Sequence, residues 1–149
     1  MRLQISVHKQ LRSWRALAVL TCLGAGASWP AAPQAASYVS PGGTTLRILL
    51  DKASLGGAEV EVGEITFQAG ADSGEHVHGA TEIFYVLSGE LEHVVNGKSL
   101  TLGPGMIGHV RPPDAVRHRV PGRAPVKALV IWAPGGEAER ITSRWRRQE

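Results

Sequence analysis

The chain has 149 residues, 43% of them hydrophobic, with 16 Lys and Arg against 13 Asp and Glu and a single cysteine. That length supplies one ordinary hydrophobic core, and one cysteine excludes an intramolecular disulfide framework. Residues 1–36 hold 4 of the basic side chains and no acid, which leaves 12 bases against 13 acids, a net charge of −1, for the remainder; a nucleic-acid-binding surface, which needs a basic patch on the folded domain, is therefore not expected.

In chain order, residues Met1–Arg15 carry Arg2, Lys9, Arg12 and Arg15, and Ala16–Ala27 is an uncharged, largely apolar run. The run is too short to span a bilayer, which takes roughly 20 residues. It reads as the core of a secretory signal covering residues 1–27, cleaved after Ala25-Gly26-Ala27 or as late as Ala36. Arg12 and Arg15 are not adjacent, which argues against twin-arginine export. Cys22 lies inside the run, and Val19-Leu20-Thr21 before it fits a lipoprotein signal poorly, so the mature protein is expected to carry no thiol. The expectation is an exported protein, periplasmic or secreted, with no stable membrane span once the signal is removed.

Residues 28–43 are rich in Pro, Ala, Ser and Gly and read as a linker. Short strand-like segments follow. Thr44–Leu50 is apolar. Glu59–Val62 alternates, and the apolar parity then changes to Ile65, Phe67 and Ala69, which predicts a β-bulge at Gly63. Glu82–Ser88, Glu90–Val95, Lys98–Leu102, Met106–Val110, Val116–Val120 and Val126–Trp132 read as further strands. Asn96-Gly97 is the strongest hairpin signal among their connections. Only Glu137–Arg147 reads as a helix, with Ala138, Ile141 and Trp145 on one face. Many short strands punctuated by turns predict an all-β antiparallel barrel or sandwich over residues 44–135 with a helical tail at 136–149.

The chemistry concentrates in Gly70-ADSGE-His76-Val-His78-GAT-Glu82-IFYVLS-Gly89. In extended backbone alternate residues share a face, so His76, His78 and Glu82 present two imidazoles and a carboxylate together. That set suits a divalent first-row metal with coordination positions to spare.

This stretch resembles the first motif of the cupin superfamily, which runs Gly, five residues, His, one residue, His, three or four residues, Glu, six residues, Gly. Gly70, His76, His78, Glu82 and Gly89 match every position. The resemblance implies a small single-domain, type-2-like cupin: a jelly-roll-like β-barrel with a metal inside its mouth. It also implies a fourth ligand, a histidine shortly after a proline turn. His118, after Pro112-Pro113-Asp114-Ala115-Val116-Arg117, is that candidate, although the segment before it runs about one residue longer than the common pattern and no asparagine follows. His109 competes for the place, either orienting another imidazole or standing exposed. The face of Leu91 and Val95 is implied to point inward, which makes His93 a candidate acid or base in the cavity, with a satisfied core histidine as the alternative. By parity Phe84, Val86, Leu91 and Val116 should line the pocket. Arg117 and Arg119 should face out, and Arg140, Arg144, Arg146 and Arg147 read as a solvated face.

The implied cofactor is one divalent transition metal per chain, iron, manganese, nickel or copper, with zinc less suited because it favours four-coordination. The resemblance points to dioxygenase- or oxidase-like chemistry on a small chelating aromatic, enol or carboxylate substrate. A non-redox isomerase or lyase and a non-catalytic metal or small-ligand binding module are the alternatives. Thr44–Leu50, read as an apolar edge strand in need of cover, suggests a homodimer.

Overall fold

The computed structural model describes residues 35–149. The expected signal core, the cleavage site before Ser28 and Cys22 lie outside those residues. The described strands are β1 (Ser37–Val39), β2 (Thr45–Leu50), β3 (Glu61–Phe67), β4 (His76–Val77), β5 (Thr81–Ser88), β6 (Leu91–Val95), β7 (Lys98–Leu102), β8 (Ile107–Val110), β9 (Ala115–Arg119), β10 (Val126–Ala133) and β11 (Arg146–Gln148); the helices are α1 (Lys52–Leu55) and α2 (Glu137–Thr142). Seven strands form one sheet in the order β11-β1-β2-β3-β10-β5-β8, and four form a second in the order β4-β9-β6-β7. Every pairing is antiparallel. The all-β expectation therefore holds, with the barrel built as two sheets over one core. No helix among the described residues is long and apolar enough to cross a membrane.

The core draws on both sheets. Leu46, Val86, Leu91, Leu102, Val126, Ala128 and Val130 are fully buried, and Phe84 and Trp132 are 1% exposed. Burying a side chain of the larger kinds contributes about 1.5–3 kcal/mol, so the alternation of inward residues along β2, β5, β6 and β10 fixes which face of each strand is inside.

Several local expectations change. The inward face of β3 is continuous, with Glu61, Gly63, Ile65 and Phe67 all buried, so there is no parity change at Gly63. The irregularity sits across from it on β2, where the register passes from Ile48↔Gly63 to Leu50↔Val62. Gly63 is glycine because of packing: a Cβ there would stand 2.6 Å from Leu46 Cδ1. Part of the expected linker is strand β1, which pairs with β2 on one side and β11 on the other. The strand Thr45–Leu50 is consequently internal rather than an edge, and the structural ground for a homodimer disappears. The tail is not one helix either, since α2 ends at Thr142 and the chain returns to strand at Arg146. Helix α1 was unforeseen. Asp51 caps it by accepting from Ser54 N at 3.0 Å while the Ser54 hydroxyl accepts from Asp51 N, a reciprocal cap that releases the chain from β2.

The turns follow their residues. Asn96 (φ 48°) and Gly97 (φ 76°) both take positive φ, as a two-residue hairpin between β6 and β7 requires. Gly70 (φ 76°) and Gly89 (φ 80°), the outer glycines of the motif, do so for different surroundings: a Cβ on Gly70 would meet nothing within 4 Å, whereas one on Gly89 would stand 2.5 Å from the Pro125 carbonyl oxygen. Both alanine variants incur the left-handed backbone cost of about 1–2 kcal/mol. Gly89→Ala adds an overpacking cost of about 1–3 kcal/mol. Urea denaturation should therefore rank Gly89→Ala clearly below Gly70→Ala; equal stabilities would contradict the packing at Pro125.

Candidate metal centre

The side chains singled out in the sequence meet between the two sheets. His76 comes from β4 and His78 from the residue just beyond it, Glu82 from β5, His118 from β9, and His93 from β6. His76 Nε2 lies 3.1 Å from His78 Nε2, and His78 Nε2 lies 3.1 Å from Glu82 Oε2. His118 Nε2 is 3.7 Å from Glu82 Oε2. His78, Glu82 and His118 are all buried.

The outer atoms of these groups are held. His76 Nδ1 donates to the Gly74 carbonyl at 3.0 Å, and His78 Nδ1 donates to Glu137 Oε1 at 2.9 Å. Trp132 Nε1–H donates to Glu82 Oε1 at 2.9 Å. With the Nδ1 atoms of His76 and His78 as donors, their neutral rings turn Nε2 lone pairs toward one another and toward Glu82 Oε2. That carboxylate oxygen is buried and has no assigned hydrogen-bond partner, although it stands in ion-pair range of His78 Nε2. A buried carboxylate oxygen without a hydrogen-bond partner is costly, and a cation among these donors removes the cost. Among the described residues no group of three or more His, Cys, Asp or Glu is arranged so that it could hold a metal ion as it stands. The separations within the cluster are nonetheless close to the ~3 Å expected between neighbouring ligands that each stand about 2.1 Å from one ion. In donor chemistry, three imidazoles and an orphaned carboxylate oxygen suit a divalent cation.

His118 differs from the other donors. Its Nε2 lies 3.1 Å from His93 Nδ1, and His93 Nε2 donates to the His109 carbonyl at 3.2 Å. His93 Nδ1 is then an acceptor, so His118 Nε2–H is its donor in the neutral pair. Binding a metal through His118 means exchanging that hydrogen bond for the ion. Burial holds the His118 pKa well below the ordinary value, helped by the neighbouring His93, His76 and His78. Burial likewise lowers His93. His78 moves the other way: burial opposes its charge, but Glu82 and Glu137 outweigh burial and raise it.

Beside the cluster lies a cavity of about 870 Å³ whose lining includes His76, His78, Glu82, Phe84, His118, Trp132, Arg140, Arg144 and Trp145. Of the expected pocket residues only Phe84 reaches it. Val86, Leu91 and Val116 face inward, as parity requires, but are fully buried and do not line the cavity. His93 is likewise absent from the cavity wall and sits behind His118. Arg140 and Arg144 are exposed, as a solvated face requires, and also stand at the cavity. Arg117 and Arg119 do face outward, pairing with Asp72 and Glu92. His109 projects its side chain outward and serves the site through its carbonyl. The sequence reading missed Trp132 and Glu137, which lie 50 and 59 positions from the residues they hold; the indole and carboxylate themselves were visible, but only the topology brings them in.

A family model described as a cupin domain matches residues 63–132, running from within β3 to within β10. That match covers 70 of the 149 residues and takes in His76, His78, Glu82, His93 and His118. Among solved structures it is similar to a predicted oxalate decarboxylase from Thermotoga maritima, at 21% identity over 66% of this chain and 91% of that one with a TM-score of 0.60. An RmlC-like cupin from Shewanella frigidimarina gives 22% identity over 68% and 86% with a TM-score of 0.58. KdgF from Halomonas sp. gives 19% over 67% and 86%, also at 0.58. At these identities the likeness establishes the fold. A search of curated proteins finds no match.

Proposed function

We propose that His76, His78, Glu82 and His118 hold one divalent transition metal ion, and that the protein is an exported cupin acting on a small chelating carboxylate or enol in a dioxygenase- or oxidase-like reaction. The observation that carries this reading is the buried, unpartnered Glu82 Oε2 facing imidazole nitrogens whose opposite ring atoms are already hydrogen-bonded. When bound, such an ion supplies Lewis acidity and, for iron, manganese, nickel or copper, one-electron chemistry with dioxygen.

The chain's own residues do the rest. Trp132 and Glu137 orient Glu82 and His78. Phe84, Trp132 and Trp145 give the cavity aromatic surface for the body of a substrate, and the Arg140 and Arg144 guanidinium groups beside them favour an anionic one. Residues 1–36, with 4 basic side chains and no acid, support export. The redox reading is preferred over a non-redox lyase or isomerase because the expected proton-transfer group, His93, is bonded to His118 and the His109 carbonyl rather than placed in the cavity.

Protein isolated from its native compartment should contain about one equivalent of transition metal by elemental analysis, and should consume oxygen with small α-keto, hydroxy or enolic carboxylates. Equal turnover of such a substrate without oxygen would reverse the preference for redox chemistry. A bound metal that no chelating carboxylate perturbs spectroscopically would point to a binding module.

A further inference from the structure

Helix α2 lies beyond the matched cupin residues, yet it is tied into the barrel at two points. Glu61, buried on β3, accepts from Gly136 N at 3.1 Å and from Ala138 N at 2.8 Å through Oε2. No side chain of the helix's own N-cap, Gly136, serves that end, so a carboxylate from the sheet caps it. One residue into the helix, Glu137 is 5% exposed. Its Oε1 accepts from His78 Nδ1 at 2.9 Å, from Arg140 Nε at 2.9 Å and, at a longer 3.4 Å, from Gly79 N. A Cβ on Gly79 would stand 3.4 Å from Glu137 Oε2, so the loop after β4 lies against this carboxylate. Glu137 Oε1 is thus the shared acceptor for the imidazole, the guanidinium and the backbone of the loop.

A carboxylate on Nδ1 fixes an imidazole's tautomer and ring plane and makes its Nε2 a stronger donor. We propose that Glu137 is the positioning residue of the metal centre: it holds His78 as the Nδ1–H tautomer with the Nε2 lone pair directed at His76 and Glu82, so the C-terminal helix is a working part of the site. This inference rests on the metal reading above. Arg140 supports it by balancing the Glu137 charge while itself standing at the cavity.

The test uses the full mature chain and cobalt(II), whose visible absorption reports its ligand field, titrated in competition with a chelator. Glu137→Ala should weaken cobalt binding about 10–100-fold and shift the visible band. Glu137→Gln, which keeps the volume and a carbonyl oxygen, should fall between alanine and wild type. Unchanged affinity and spectrum in Glu137→Ala, with only the melting temperature of the metal-free protein lowered, would reduce Glu137 to a structural residue and overturn the assignment. Should the alanine variant fail to fold, Glu137→Gln carries the test alone: a loss of about tenfold with a shifted band is expected, because a neutral amide accepts more weakly than a carboxylate, and wild-type behaviour refutes the role. If wild-type protein binds no cobalt, the metal reading itself fails, which is a separate result.

Discussion

His78→Ala is expected to abolish stoichiometric binding of a divalent cation. Its Nε2 stands 3.1 Å from both His76 Nε2 and Glu82 Oε2, which makes it the donor shared between the other two. The substitution also removes one of the hydrogen-bond donors to Glu137, so ligand and orienting contact vanish together. An affinity loss of more than about 100-fold should follow, beyond what removal of an outer partner alone produces. Elemental analysis and chelator competition measure it directly. His76→Ala and Glu82→Ala should each cost at least tenfold by the same measurement. Full metal stoichiometry in all three variants would sink the assignment, whatever their activities.

Trp132→Ala should be the most damaging single change to the fold. The indole is 1% exposed in the shared core, and its Nε1–H is the hydrogen bond that holds Glu82 Oε1. Truncating a buried tryptophan costs about 3–5 kcal/mol through lost burial and the cavity left behind. Here it also strands the second oxygen of a carboxylate whose first is already unpartnered. Trp132→Phe separates the two contributions: most of the packing survives, the donor does not, and about 1–3 kcal/mol is expected from the buried acceptor alone. In urea denaturation a loss below about 1 kcal/mol for the alanine variant would contradict the packing described.

Much of this was legible in the sequence because period-two alternation is a local property. His76, His78 and Glu82 share a parity, and the structure gathers them. Asn96-Gly97 dictated its hairpin through the positive φ that both residues tolerate. Parity gives the face of a strand but not the depth along it. Val86, Leu91 and Val116 point inward as expected, yet they fill the core, while Phe84, one step along β5, meets the cavity. The interior status of β2 was hidden because the three-residue strands β1 and β11 carry no periodicity of their own. β1 forms by pairing with β2 and β11, and β11 by pairing with β1. Glu61, Trp132 and Glu137 were unreadable for a related reason. A carboxylate that caps a helix 75 residues downstream has the local pattern of any surface acid.

The pairing of β1 with β11 sets Ser37 opposite Gln148. The domain therefore takes in and gives out its polypeptide at one seam, like a zip closed at its own two tabs. A short linker across that seam would join the ends, and new termini could be opened at the exposed Asn96-Gly97 hairpin without cutting any strand that carries a donor of the cluster.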